Sequence, residues 1–170
     1  MNGITFISDF VADPEALFTS LRDNVLWDER MTARKTASYG VAYNYSQISY
    51  PFQAFTPGLQ ELVAAIGSTL GFTPNNCLIN YYPDGKSKMG YHADQTDILE
   101  AGTGIAIVSV GEMRTLRFKN IKDPTELIDF PLNAGSLIYM TQAVQDEWLH
   151  AVPAADTGHG RMSLTFRSIK

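Results

Sequence analysis

The 170 residues hold three histidines, and two of them stand in patterns that suggest chemistry. In His92-Ala93-Asp94 an imidazole and a carboxylate are spaced i, i+2, so on a strand both point to one face. That donor pair suits a borderline metal such as Fe(II). His150, within Trp148-Leu149-His150-Ala151-Val152, is the natural third ligand. Two imidazoles and one carboxylate on one face leave positions open for a bidentate cosubstrate and oxygen. Without a metal, the same residues read as ordinary histidines satisfied in a core or at the surface. His159 fits neither pattern and reads as a loop residue.

A second set lies near the C-terminus. Arg161-Met162-Ser163-Leu164-Thr165-Phe166-Arg167 alternates with the period of a strand. Arg161, Ser163, Thr165 and Arg167 share one face; Met162, Leu164 and Phe166 share the other. Two guanidiniums with hydroxyls between them form a dicarboxylate site, because the planar guanidinium fork binds carboxylate bidentately. The plainer alternative is an exposed strand carrying solvated charge. In Asn80-Tyr81-Tyr82, Asn80 and Tyr82 share a face, offering an amide and a phenol to the same dicarboxylate.

These side chains need elements to hold them. Residues 3–11 read as a short strand with apolar Ile4, Phe6 and Phe10. Asp13-Pro14-Glu15 opens a helix with a capping Asp, a Pro in the first turn and an acid near the positive dipole end. Leu17, Phe18 and Leu21 give it an apolar stripe. Thr56-Pro57 opens a second helix, whose Leu59, Leu62, Val63 and Ile66 recur at helical spacing, with Gly71 as its stop. Beyond residue 75 the pattern becomes strands. Cys77 to Tyr82 ends at the turn Pro83-Asp84-Gly85. Ile105 to Val110 is a continuous apolar run, the mark of a buried strand. Thr115 to Phe118, Leu127 to Phe130, Ser136 to Met140 and Met162 to Ile169 follow. Short strands divided by Gly, Pro, Asn and Asp predict a β-sandwich or barrel. The expected chain is one domain: an α/β and lid region over about 1–75, packed on a β core over about 76–170.

Composition narrows the function. Charged residues are 18% and apolar residues 45%, which excludes a disordered chain. Thirteen Lys and Arg against eighteen Asp and Glu give a formal charge of −5, which disfavours tight duplex binding through phosphates. The single Cys77 excludes an internal disulfide framework. No apolar run reaches the length of a membrane span, and the N-terminus lacks a basic region followed by an apolar one. The expectation is a cytoplasmic protein, or a nuclear one in a eukaryote, monomeric and without membrane partners.

Taken in order, Asn80-x-Tyr82, His92-x-Asp94, His150 and Arg161-x5-Arg167 resemble the AlkB family of Fe(II)/2-oxoglutarate dioxygenases. Arg161 to Arg167, RMSLTFR, is very close to that family's C-terminal signature. Ile107-Val108-Ser109-Val110-Gly111 and Gly135-Ser136-Leu137-Ile138-Tyr139-Met140 are similar to two of its strands. Arg34 to Gly40, followed by Tyr43-x-Tyr45-Ser46, looks like the substrate-lid region of its nucleic-acid-repair branch. The resemblance implies an α+β, mainly β fold: a double-stranded β-helix (jelly-roll) core with N-terminal helices packed on one sheet. It implies Fe(II) held by His92, Asp94 and His150, with 2-oxoglutarate and O2 as cosubstrates. The C5 carboxylate would meet Arg161, with Tyr82 and Asn80 nearby, and Arg167 would lie by the C1 carboxylate. Ser163 and Thr165 are further lining candidates.

The implied reaction is oxidative demethylation of an alkylated nucleobase of the 1-methyladenine or 3-methylcytosine type in DNA or RNA. Hydroxylation of the N-methyl group gives a hemiaminal that collapses to formaldehyde and free base. Such a base must leave a duplex before it is oxidised, and the absence of a basic duplex-binding element favours a single strand. Tyr39 and Tyr43, with Tyr45 beside them, would stack on the base; they read equally well as half-buried rings of a β-hairpin. Two residues after Asp94, repair relatives commonly carry an acid that meets the alkylated base, and here that position is Thr96, followed by Asp97. This departure, with the acidic charge, keeps open the same hydroxylation on a protein side chain or small molecule. A non-catalytic jelly-roll binding module is the remaining alternative.

Overall fold

Two antiparallel sheets face each other, and a central strand of the larger one carries the Arg-Ser-Thr-Arg face. A computed structural model describes residues 1–45 and 47–170; Ser46, named in the lid stretch, lies outside the described residues. The larger sheet contains β1 (Ile4–Ile7), β2 (Lys35–Gly40), β5 (Asn76–Tyr82), β7 (Ile105–Gly111), β10 (Leu137–Met140) and β12 (Arg161–Arg167) in the order β1-β10-β7-β12-β5-β2. The smaller contains β6 (Met89–His92), β8 (Arg114–Asn120), β9 (Leu127–Leu132) and β11 (Trp148–Val152) in the order β6-β11-β8-β9. A separate hairpin pairs β3 (Tyr43–Tyr45) with β4 (Ile48–Tyr50). The architecture is the jelly-roll core, mainly β, with α1 (Pro14–Asn24) and α2 (Pro57–Leu70) packed on the outer face of the larger sheet; a short α3 (Gln142–Glu147) precedes β11.

The helix starts are the ones the sequence signals. The Asp13 carboxylate accepts from the Ala16 N–H at 3.1 Å, and Thr56 Oγ1 accepts from the Leu59 N–H at 3.3 Å. Gly71 closes α2 at φ 80°, the left-handed conformation that glycine adopts without strain.

Two apolar cores explain the strand patterns. One lies between the helices and the larger sheet and takes Ala106, Val108, Val110, Met162, Leu164 and Phe166. The other lies between the sheets and takes Ile105, Ile107, Leu116, Phe118, Ile138 and Met140. Strand β7 is buried on both faces, so its sequence is apolar from Ile105 to Val110 except at Ser109. Strand β8 is covered on one face only: Leu116 and Phe118 point inward while Arg117 and Lys119 point away, giving clean alternation. At ~25 cal/mol per Å² of apolar surface, each fully buried Leu, Ile or Phe contributes roughly 2–3 kcal/mol.

The N-terminal third does not sit apart from the β core: β1 and β2 are the two edge strands of the larger sheet. Strand β1 stops at Ile7, short of the expected 3–11, and Phe10 packs against the helix-side core from the turn before α1. Strand β6 ends at His92, so Asp94 lies in the segment beyond it rather than on the strand.

Candidate active site

The site sits between the sheets. His92 closes β6 and His150 lies in the middle of β11; the two are direct cross-strand partners, with ring centroids 4.3 Å apart. Asp94 turns back from beyond the strand. Its Oδ1 lies 3.4 Å from His92 Nε2 and 3.8 Å from His150 Nε2. The donor atoms of the three residues all lie within 4.8 Å of one another. What holds Asp94 is not strand pairing: its N–H donates to Gln145 Oε1 on α3 at 2.8 Å, and Arg167 Nη2 donates to its Oδ2 at 3.3 Å.

The protonation states of Asp94 and His150 favour metal binding. His92 Nδ1 lies 2.9 Å from the Gly90 carbonyl, which can only accept, so Nδ1 carries the proton and Nε2 offers its lone pair. Burial pushes His150 down to about 4, so it is neutral at pH 7. Burial acts to raise the Asp94 carboxyl, but Arg167 and the two imidazoles outweigh it and hold it well below the usual carboxylate range. For His92 burial lowers the pKa, while its bond to Asp94 and the Gly90 carbonyl more than compensate, and the net shift is upward.

The other end of the cavity is rich in donors and poor in acceptors. Arg161 donates through Nη2 to Ser109 Oγ at 2.8 Å, while its Nε and Nη1 are buried without a partner. Arg167 likewise leaves Nε and Nη1 unpaired. Both side chains are almost wholly inaccessible to solvent, and a buried donor without a partner costs about 1–3 kcal/mol. The Tyr82 ring lies 5.3 Å from the Arg161 Cζ and 5.7 Å from that of Arg114. Arg114 is buried too and donates to the carbonyls of Asp84, Ser87 and Pro153 at 3.2, 2.8 and 2.8 Å. Its hold on these two loops is possible because Gly85 lets them touch: a Cβ there would fall 1.8 Å from the Ala155 carbonyl oxygen. Asn80 Oδ1 accepts from Arg34 Nε at 3.1 Å. Ser163 and Thr165 face the same cavity, and Leu78, Ile107, Leu116 and Val152 form its apolar wall. A dicarboxylate would satisfy the orphaned guanidinium N–H groups, and two neutral-capable imidazoles with an ionised carboxylate suit Fe(II). The residues fit both groups.

The structure thus brings His92, Asp94, His150, Asn80, Tyr82, Arg161, Ser163, Thr165 and Arg167 to one cavity. The substrate candidates divide. Tyr43 is half-buried beside the cavity, its ring 5.0 Å from the Arg167 Cζ and 6.3 Å from that of Tyr45 at 17°, and it is Tyr45 that lines the cavity. Tyr39 is a correction: on β2 the residues Ala37 and Tyr39 face the helices, and Tyr39 is buried there among Leu21, Leu59 and Cys77. Thr96 is another. It is half-buried outside the cavity wall, where its carbonyl accepts from the Leu99 N–H at 3.1 Å to close a turn. His159 is exposed, and its N–H bonds to Thr157 Oγ1.

Four residues that shape the site are not assigned to it from the sequence, although Arg34 and Ser109 fall within stretches that resemble the family. Ser109 and Arg114 had a signal, since each is polar at a position whose i±2 neighbours are inward apolar residues, Ile107 and Leu116. Gln145 had none, because it acts through a contact far away in the chain.

Residues 19–167 match the family described as the 2OG-Fe(II) oxygenase superfamily. Among curated proteins, the chain is 32% identical over 169 residues to alpha-ketoglutarate-dependent dioxygenase alkB homolog 3 of Rattus norvegicus, covering 88% of this chain and 57% of that protein. It is 33% identical over 147 residues to the DNA oxidative demethylase ALKBH2 of Homo sapiens, covering 80% and 56%. It is also 29% identical over 165 residues to uncharacterized protein R406 of Acanthamoeba polyphaga mimivirus, covering 96% and 85%. The chain therefore spans a little over half the length of the first two relatives. The solved structure of OsALKBH1 superposes with a TM-score of 0.74 at 14% identity, over 99% of both chains, and shares the fold.

Proposed function

The chain belongs to the 2OG-Fe(II) oxygenase superfamily and, within it, to the AlkB family, and from that premise we propose that it oxidatively demethylates alkylated nucleobases in DNA or RNA, preferably in single strands. The observation that carries this reading is the joining, in one cavity under the tyrosine hairpin, of the His92–Asp94–His150 cluster and the unsatisfied donors of Arg161 and Arg167.

His92, Asp94 and His150 would hold Fe(II). With 2-oxoglutarate and O2, that centre supplies oxidation of a substrate C–H bond while the cosubstrate becomes succinate and carbon dioxide. The chain's own residues do the positioning. Arg161 binds the distal carboxylate, with Tyr82 and Asn80 beside it. Arg167 keeps Asp94 ionised and turned inward while its free N–H groups face the near carboxylate. Ser163 and Thr165 line the passage between them. Tyr43 and Tyr45 cover the mouth and stack on the entering base, which excludes water from the oxidised methyl group. The hydroxymethylated nitrogen then releases formaldehyde. The protein acts as a monomer, with residues 1–170 as one catalytic domain, in the cytoplasm or, in a eukaryote, the nucleus. No helix among the described residues is long and apolar enough to cross a membrane.

Formaldehyde release from single-stranded oligonucleotides carrying 1-methyladenine or 3-methylcytosine tests the reading, after anaerobic loading with Fe(II) and 2-oxoglutarate. Release above the substrate-free control is expected. Succinate without formaldehyde would overturn the nucleobase substrate. It would favour a protein side chain or small molecule, a reading supported by the position of Thr96 outside the cavity.

A further inference from the structure

Beside the cavity, on the same face of the larger sheet, runs a groove bounded by Trp27, Tyr50 and Phe52. Thr36 and Ser38 of β2 line it, while their cross-strand partners Asn80 and Leu78 of β5 line the cavity. The residues that line the two hollows thus lie on neighbouring strands, ~4.8 Å apart. The tyrosine hairpin stands between them: Tyr45 of β3 faces the cavity, and Tyr50 of β4 faces the groove and bonds through its hydroxyl to Thr36 Oγ1.

The floor of this groove is a gap in a sheet edge. Thr36 exchanges both backbone bonds with Asp28, and Gly40 exchanges both with Gln53. Alternate residues of an antiparallel strand direct N–H and C=O to the same edge, so Ser38 turns its pair outward between those two bridges. Among the described residues neither group has a backbone partner. The rim carries the two most exposed large apolar side chains described, Leu26 at 93% and Phe52 at 68%. The charged side chains that line the groove, Asp28 and Arg30, bond to each other.

We propose that this groove is a second base subsite, which receives the unmodified nucleobase next to the target in the same single strand. The inference rests on the nucleic-acid reading above. A base supplies a donor and an acceptor on one planar edge for Ser38, and a face for Phe52 to stack on. An extended peptide could meet the same backbone groups, but the gap is one residue long. The segments at Asp28 and Gln53 already occupy the edge on both sides and block a continuing strand.

The test is photocrosslinking of the full chain, loaded with Mn(II) and 2-oxoglutarate, to single-stranded pentanucleotides with a central 1-methyladenine. 5-Iodouracil is placed on either flank or, in a control, at the target position. The flanking probe is expected to crosslink to Trp27, Tyr50 or Phe52, and the control to Tyr43 or Tyr45. Phe52→Ala is expected to raise KM for the pentanucleotide about 5- to 10-fold at unchanged kcat, and to leave KM for a methylated mononucleotide alone. Control crosslinks with flanking crosslinks elsewhere, or an unchanged pentanucleotide KM in Phe52→Ala, overturn the subsite and spare the nucleobase reading. Loss of crosslinks from both probe positions overturns both.

Discussion

The two ends of the cavity are built differently. The end proposed to bind 2-oxoglutarate is formed by β12, β5 and β7, interior strands whose opposite faces are packed into the helix-side core. Arg161, Tyr82 and Ser109 are almost fully buried there, and each side chain's direction is fixed by the apolar residue next to it pointing the other way. The end proposed to meet substrate is a hairpin of three residues per strand, paired among the described residues only with itself. Its ties to the core are side-chain contacts: Arg34 Nη2 donates to the Tyr45 hydroxyl, Tyr50 bonds Thr36, and Tyr43 lies over Arg167. The chemistry shared by a family belongs on the first kind of support, and selectivity on the second, which can vary without disturbing a core.

That contrast can be broken most severely at the metal. Asp94→Ala or His92→Ala should abolish metal binding and turnover while leaving the fold intact; 2-oxoglutarate consumption at the wild-type rate in either variant would refute the ligand assignment. Next in size is Arg161→Ala, which removes the proposed partner of the distal carboxylate. Its 2-oxoglutarate affinity, measured by calorimetry on the Mn(II)-loaded protein, should fall about 10- to 100-fold, whereas Tyr43→Ala should leave that affinity unchanged.

A third effect is visible in metal-free protein. His150 titrates near 4 in the native state and near 6.5 when unfolded, so the unfolded state binds more protons between these values. Its contribution is therefore full above about pH 6.5, declines as the pH falls toward 4, and is flat below. The loss is up to ~3 kcal/mol. His92, with its pKa raised, acts with the opposite sign and stabilises at low pH. Denaturant unfolding of wild type and His150→Gln across this range isolates the His150 part, and parallel curves would contradict it. At the substrate end, Tyr43→Ala should raise KM for a methylated oligonucleotide several-fold through lost stacking of about 1 kcal/mol or more. Tyr39→Phe sharpens the comparison by its smallness: that residue lies under the helices, so KM should not move.

The same difference in support explains which residues could be read from the chain. On β12 the alternation of polar and apolar types is strict, so Ser163 and Thr165 could be assigned to the Arg161 face before any coordinates. His92 and His150 announced themselves by type, though their pairing across β6 and β11 is a matter of register. Asp94 was placed with His92 by a strand argument, yet a side chain from α3 and Arg167 hold it. Tyr39 and Tyr43 looked alike because aromatic residues suit both a core and a lid. Only the end of β2 at Gly40, which forces the chain to turn at φ 84°, puts the two rings on different sides of the sheet.

Strand β12 also sets how the chain tolerates changes of length. Its alternate residues serve two incompatible surroundings, oil on the helix side and anion-binding donors on the other. Deleting one residue inside Arg161–Arg167 would shift the frame of every position beyond it and exchange the two sets, which would press a guanidinium into the helix-side core and present an aliphatic wall to the cosubstrate. A two-residue change would keep the parity and lose only part of the site. Insertions in the exposed turn at 121–126 between β8 and β9 meet no such bookkeeping. Indels along this protein should therefore be excluded from β12 in odd numbers well before they are excluded from its loops.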